Sequence, residues 1–365
     1  MGTDLDSMVC ALLYGLLKAN LQPQSKSYAS PILNIPREDL ILRPELSFVL
    51  AKAGIPEELV PCLDEVRLEG MEQVVLVDHN VPAHAQSFLA DSVVGIVDHH
   101  EDEGQFPNAD PRMVRVAGSC TSLILQAWAR EAEKQPRLLR AFGPECLHLA
   151  LASMLQDTVG FKTQYGKVQP VDLDSLAWEG SELEGYMDAL TRVRSDVSGL
   201  ASRDLLRKDY KEWVVVMGKG EGEDGDSKCR LGISSVPYAR DRWIERDGVD
   251  EVEKAVEAWV AERSLDLHLI LTAYTGQGDK GFSRELSLYI TTTASSSSSS
   301  SKVERRGIGG QDFAERLEAQ TRKSLDLHPI STDRALRWWV QGNVQASRKQ
   351  VYPLVRDLIS CHAQL

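Results

Sequence analysis

Two short apolar runs, Val74–Val77 and Val93–Val97, each stop at an aspartate, Asp78 and Asp98. Unbroken aliphatic runs this short suit parallel strands buried on both faces better than helices. Parallel strands deliver their carboxyl ends to one crevice, so the residues closing the two runs should share a site. Helical segments at Asp4–Ala19, Ser122–Lys134 and Cys146–Leu155 alternate with the runs. That alternation predicts an α/β fold with an open, mainly parallel sheet.

The chain has 365 residues, which suits two domains better than one. The pattern turns polar around Asp188–Arg203. We therefore expect an α/β domain over residues 1–190, a linker helix over 191–204 and a smaller α+β domain over 205–365. Strand candidates in the second half are Trp213–Met217, Arg230–Val236, His268–Ala273 and Glu285–Thr292, with a helix at Val249–Arg263. Gly218–Lys228 is a Gly-rich acidic stretch expected as a hairpin excursion. The serine run within 294–302 has too little apolar surface to fold, so it is expected as an insertion. The pentapeptide Ser-Leu-Asp-Leu-His occurs at 264–268 and 324–328, and two copies do not make a repeat architecture.

Charge is unevenly placed. Residues 1–200 hold 29 acidic against 16 basic side chains, whereas the remainder holds 25 of each. An acidic half repels nucleic acid and membrane surfaces unless cations intervene, so neither is an expected partner. No apolar run reaches the length of a membrane span, and no signal peptide is visible at the start. Six scattered cysteines without a C-x-x-C pair fit a reducing cytoplasm rather than a zinc or disulfide scaffold.

Acidic clusters stand at four predicted tips: Asp4 and Asp6 opening a helix, Asp78, Asp98-His99-His100, and Asp157. Each has a plain structural reading taken singly. Asp4 or Asp6 suits a helix N-cap, Asp78 and Asp98 suit caps of following helices, and Asp157 suits a turn. Together they imply converging carboxylates whose repulsion needs cations to relieve it. Mixed Asp and His donors suit Mn²⁺, or Mg²⁺ where His is used less. Two such ions sharing a carboxylate would polarise a water for in-line attack on phosphorus.

The D-x-D pair, the lone strand-end Asp, the Asp-His-His triplet and the later Asp, in this order, resemble the four motifs of the DHH superfamily phosphoesterases. The resemblance implies Asp4, Asp6, Asp78, His99 and Asp157 as ligands of two divalent cations, with Asp78 bridging. It implies His100 facing substrate and Asp98 orienting the neighbouring histidines. In the second half, LLRKDYKEW (205–213) and SRKQVYP (347–353) resemble phosphate-binding segments of the C-terminal domain shared by family II pyrophosphatases, exopolyphosphatases and prune proteins. The likeness makes Lys211, Arg348 and Lys349 a substrate clamp. Arg would supply a bidentate fork and Lys a mobile charge.

PILNIPREDLILRPE (31–45) and DPRMVRVAGSCTSL (110–123) are similar to the exopolyphosphatase and prune branch, the fungal cytosolic exopolyphosphatases in particular. There Gly118, Ser119 and Cys120 would open a helix whose N–H groups face an anion. Arg112 would line the substrate path or form a structural ion pair. The family also places Asn or His four residues before D-x-D, at the end of a first strand. Both would precede Met1 here, so weak binding of one metal and poor turnover are expected.

The expected function is hydrolysis of the terminal phosphate of inorganic polyphosphate, in a cleft between domains. Inorganic pyrophosphatase and nucleotide phosphodiesterase remain open as alternatives, as does a catalytically weak polyphosphate-binding scaffold. Neither a monomer nor a dimer is specified.

Overall fold

The computed structural model describes residues 3–21, 29–174, 180–217, 227–275, 281–291, 310–331 and 334–362. The chain divides into two compact units, Met1–Asp196 and Val197–Leu365.

The first unit holds a three-stranded parallel sheet in the order β1 (Val74–Val77), β2 (Val93–Asp98), β3 (Arg112–Val114). Both apolar runs form the expected strands, and β2 extends one residue to include Asp98 itself. β3 was not anticipated, because three residues with an arginine among them give no periodic signal. Helices α1 (Leu5–Leu21), α2 (Pro44–Lys52), α3 (Cys120–Lys134), α4 (Arg137–Ala141), α5 (Pro144–Asp157), α6 (Pro170–Leu173) and α7 (Gly180–Ser195) complete the unit.

Asp4 caps α1, its Oδ1 accepting from Ser7 N at 3.2 Å. One face of α1 then buries Leu5, Met8, Val9, Leu13 and Leu17 against α3 and α5. Each such leucine contributes about 1.5–3 kcal/mol of burial, and Leu13→Ala would cost about 2–5 kcal/mol. This apolar packing fixes the start of α1, where two acidic residues stand.

The second unit holds a mixed six-stranded sheet in the order β4-β5-β6-β7-β9-β8. Its strands are β4 (Tyr210–Met217), β5 (Ser227–Val236), β6 (Leu267–Thr275), β7 (Phe282–Ile290), β8 (Leu327–Ser331) and β9 (Arg337–Gln341). β5 and β6 are parallel, joined through α9 (Arg240–Asp247) and α10 (Val249–Arg263), and every other pair is antiparallel. The remaining helices are α8 (Ser202–Lys208), α11 (Gly310–Thr321) and α12 (Arg348–His362). Phe313, Leu317, Val351 and Val355 of α11 and α12 share a core with Leu231, Leu269 and Leu286 of the sheet.

All four expected strands of this half are present with shifted ends. The last runs Phe282–Ile290 rather than Glu285–Thr292, because Thr291 N leaves the ladder to bond Asp266 O at 3.0 Å. β8, β9 and α12 were not foreseen.

The two Ser-Leu-Asp-Leu-His segments have the same local task. Each follows a helix end (Arg263, Thr321) and turns into a strand (β6, β8). In each the first leucine is buried, Leu265 or Leu325, while the histidines differ: His268 is buried and His328 exposed. β4 and β5 pair antiparallel across the acidic stretch. Residues 218–226 and the serine run lie outside the described residues. Among the described residues no helix is long and apolar enough to cross a membrane.

Candidate metal centre

Asp6, one residue into α1, is fully buried and its carboxylate is saturated with donors. Oδ1 accepts from Ser119 Oγ (2.8 Å), Thr121 Oγ1 (2.7 Å), Thr121 N (3.1 Å) and Ser153 Oγ (2.6 Å), and Oδ2 accepts from Cys120 N (2.6 Å). The N–H groups opening α3 therefore do face an anion, as the sequence suggested, but Asp6 is one of the anions that fills them. The other is Asp172, which accepts from Gly118 N (2.9 Å), Ser119 N (3.4 Å) and Ser122 Oγ (2.6 Å). Position 118 must be glycine, since an added Cβ would collide with Asp172 Oδ2 and Lys167 O.

Asp78 follows β1 with φ +62°, a left-handed conformation that Asp tolerates better than most residues. Its N–H still bonds Val97 O at 2.9 Å, so the β1–β2 pairing pins the turn. Ser7 Oγ donates to Asp78 Oδ2 at 2.5 Å and lies 3.2 Å from Asp4 Oδ1, placing Asp4 one hydroxyl away from Asp78. Asp78 Oδ1 is buried without a hydrogen bond; His99 Nε2 lies 3.3 Å away but off the bonding direction.

The Asp-His-His triplet is wired by Asp98, itself inaccessible to solvent. Asp98 Oδ1 accepts from His99 N (2.8 Å), His100 N (3.2 Å) and His100 Nδ1 (2.8 Å), while Oδ2 accepts from Asn80 Nδ2 (2.5 Å). His99 Nδ1 donates to Ala117 O at 3.0 Å, which leaves Nε2 as the free donor atom. That Nε2 sits 4.0 Å from Asp6 Oδ2. Ligand atoms of Asp6, His99 and Asp157 lie within 4.8 Å of one another, and so do those of Asp78, His99 and His100. His99 belongs to both groups.

Burial and mutual charge set the protonation of this cluster. Burial, then the charge of Asp6, pushes the Asp157 carboxyl up to about 10. Burial likewise raises Asp78 to about 6 despite the nearby His99. Burial alone would raise Asp6, but hydrogen bonds from Asp157, Ser153 and Thr121 hold it below the usual carboxylate range. Burial would lower His99, yet Asp78 and Asp6 raise it to about 9. Three carboxylates around one imidazole cannot all ionise unless a cation joins them. Hard oxygen donors with one imidazole suit a divalent cation, and Asp78 Oδ1 is a buried acceptor with no well-directed hydrogen bond.

The remaining candidates are Arg112 and three residues of the second unit. Arg112 is held bidentate by Asp102 at 2.8 and 2.7 Å, an ion pair rather than a free cation. In the second unit Lys211 is exposed on β4, and Arg348 and Lys349 open α12, which packs on β4 through a Trp213–Tyr352 stack. Arg348 bonds Asp209 Oδ1 (2.8 Å) and Asp209 O (3.1 Å), two residues before Lys211. Sequence reasoning missed Ser7, Asn80, Thr121, Ser153 and Asp172. The Asp78-His79-Asn80 neighbourhood was the one available signal, since buried Asn80 also ties Glu101 O and Glu103 N to the triplet.

These features make a candidate divalent-cation centre in the first of two α/β units. Residues 1–154 match the DHH family N-terminal domain and residues 188–358 match the DHHA2 domain. The chain thus pairs a DHH family N-terminal domain with a DHHA2 domain. It is 28% identical to a Schizosaccharomyces pombe protein named "Putative exopolyphosphatase", across 98% of this chain and 88% of that one. It is 26% identical to human "Exopolyphosphatase PRUNE1", across 98% of this chain and 74% of that one. A Brevibacillus brevis "Probable manganese-dependent inorganic pyrophosphatase" is 25% identical over 73% of this chain and 78% of its own length. A crystal structure titled as a Methanococcus jannaschii putative family II inorganic pyrophosphatase shares the fold, with a TM-score of 0.50, 18% identity and coverage of 98% and 96%.

Proposed function

We propose that the protein is a metal-dependent exopolyphosphatase that hydrolyses the terminal phosphoanhydride of inorganic polyphosphate and releases orthophosphate. The observation that carries this reading is the Asp6, Asp78, His99 and Asp157 cluster, its first two members buried and the other two half-buried, whose carboxylates can all ionise only around cations. The names of the near-full-length relatives then select the substrate class. Two ions, Mn²⁺ or Mg²⁺, would be held by Asp4, Asp6, Asp78, His99 and Asp157, with Asp78 shared. When bound, they supply charge neutralisation for the phosphoryl oxygens and a lowered pKa for a nucleophilic water.

The chain's own residues do the positioning. The α3 N-terminus and three hydroxyls hold Asp6 in one rotamer. Asp98 holds the His99 backbone and the His100 ring while Ala117 O holds the His99 ring, so His99 keeps Nε2 toward the carboxylates and His100, half exposed, presents Nε2 to a phosphoryl oxygen. Lys211, Arg348 and Lys349 grip the phosphates beyond the scissile bond, and Arg348 must exchange Asp209 for phosphate to do so. The cysteine usage supports a cytoplasmic site of action.

Orthophosphate release from long-chain polyphosphate, beside pyrophosphate and a cyclic nucleotide, tests the reading under a Mn²⁺ and Mg²⁺ series. Release from polyphosphate alone is expected. Faster release from pyrophosphate or nucleotide would reassign the substrate, and binding without turnover would make the chain a scaffold.

A further inference from the structure

A groove of about 530 Å³ runs along the outer edge of the first unit, between β3 and the second half of α3. Arg112, Met113 and Arg115 line one wall, and Ala129, Arg130 and Glu133 line the other. Arg115 and Arg130 are exposed and have no ion pair or hydrogen bond from their guanidinium groups among the described residues. Arg112 is fixed by Asp102, and its Nε is buried without a partner. Glu133 is the one carboxylate of the lining. The first 200 residues carry 29 acids against 16 bases, so the unpaired Arg115 and Arg130 beside the single Glu133 are a local reversal of sign, Arg112 being balanced by Asp102.

The groove adjoins the centre through the backbone. Val114 is in register with Asp98, and Arg115 N bonds Asp98 O at 3.1 Å. The other wall is the helix whose first turn holds Asp6. Arg130 stands eleven residues after Ser119, or about 16 Å along the axis at the usual rise.

We infer that this groove binds a distal stretch of the polyphosphate chain whose end lies at the metal centre. The inference rests on the polyphosphate reading above and deepens it. Two phosphates are too short for the roughly 16 Å along α3 from Ser119 to Arg130, whereas a polymer with one charge per phosphate can cover that length. Free guanidinium groups over the apolar walls of Met113 and Ala129 suit a repeating anion, since Arg makes charge-assisted bonds to phosphate and the apolar floor limits screening. The groove therefore makes affinity depend on chain length without touching the reacting phosphorus.

The test compares the parent with R115A/R130A and R115K/R130K on polyphosphate of hundreds of units and on tripolyphosphate, at low and high salt. For long chains the alanine pair should raise KM roughly tenfold at low salt, the scale of two exposed charge contacts, with kcat unchanged. The effect should shrink in high salt, and the lysine pair should restore most of it. Tripolyphosphate kinetics should stay within about twofold, given contacts this exposed. Equal long-chain KM for parent and alanine pair at low salt would overturn the groove while leaving the exopolyphosphatase reading intact. A parent that hydrolyses neither polymer refutes that reading instead. The groove then stands only if the parent binds fluorescently labelled long polyphosphate more tightly than the alanine pair does. A shift in oligomeric state without a chain-length effect would overturn it in favour of an interface between copies.

Discussion

The two units place their charged groups in opposite ways. In the first, Asp6, Asp78 and Asp98 are buried and nearly every carboxylate oxygen is already engaged before any ligand arrives. In the second, Lys211 and Lys349 are exposed, and Lys349 has no counterion among the described residues. Buried anions must be neutralised by something held in place, so that site is built to high precision and tolerates little. Exposed cations cost nothing to leave unpaired in water, so they can wait for an anion that comes and goes. Substitutions should therefore act steeply in the first unit and gently in the second.

The steepest case is Asp78→Asn. The change removes the orphaned carboxylate oxygen beside His99 and should cut metal-supported turnover by several orders of magnitude. Since burial holds the Asp78 carboxyl up near 6, its ionised form opposes folding without metal. Metal-free melting should thus stay level or rise. Retention of more than a tenth of parent turnover would break the contrast between the units.

Asp98→Ala comes next. Asp98 touches no expected cation, but it accepts from His99 N, His100 N and His100 Nδ1. Loss of such an orienting carboxylate typically costs about 10- to 100-fold in metal affinity or activity. Mn²⁺ titration calorimetry should show it, and an unchanged affinity with unchanged kcat would mean that the histidines hold themselves.

Lys349→Ala sharpens the other side. Its loss should raise KM for polyphosphate about tenfold at low salt, with kcat and Mn²⁺ affinity unmoved. If kcat falls with KM unaltered, the lysine acts on the reacting phosphate rather than as a grip.

The strand-end logic that located Asp78 and Asp98 worked because a parallel strand buried on both faces leaves an unbroken apolar run, and the following residue is forced to the crevice. The start of α1 and the end of α5 are legible for a similar reason, whereas ligand roles for these acids and for His99 come only from the resemblance to the DHH phosphoesterases. The supports of these acids were not legible. Ser119, Thr121 and Ser153 are spread across two helices, and no local pattern links them to Asp6. Asp172 looks like an ordinary helix-start residue beside Pro170, and its bond to Gly118 joins residues 54 apart. β3 and β8–β9 are short or interrupted by Pro329 and arginines, so tertiary pairing rather than propensity makes them strands. Arg112 left two readings open in the sequence, and only the position of Asp102 shows the ion pair.

The smallest expected effect lies deep in the second unit. His268 is fully buried on β6, with Nε2 2.9 Å from Ser234 Oγ and Nδ1 unpartnered. Burial pushes its pKa down to about 3, so it stays neutral in the fold while the unfolded chain titrates near 6.5. Well above pH 6.5 both states bind the same number of protons and His268 contributes no pH slope. Below it the unfolded state alone takes up a proton, so stability falls as the pH drops toward 3. From pH 8 to pH 6 the loss should be just under about 1 kcal/mol. Five of the seven tryptophans (Trp213, Trp243, Trp259, Trp338 and Trp339) belong to this unit, so tryptophan fluorescence during urea unfolding reports on it. His268→Gln keeps a polar group near Ser234 but cannot titrate, and it should flatten this part of the pH profile whatever it does to absolute stability. An unchanged slope would show that His268 takes up its proton without unfolding, and that the unit is more open around β6 than its burial implies.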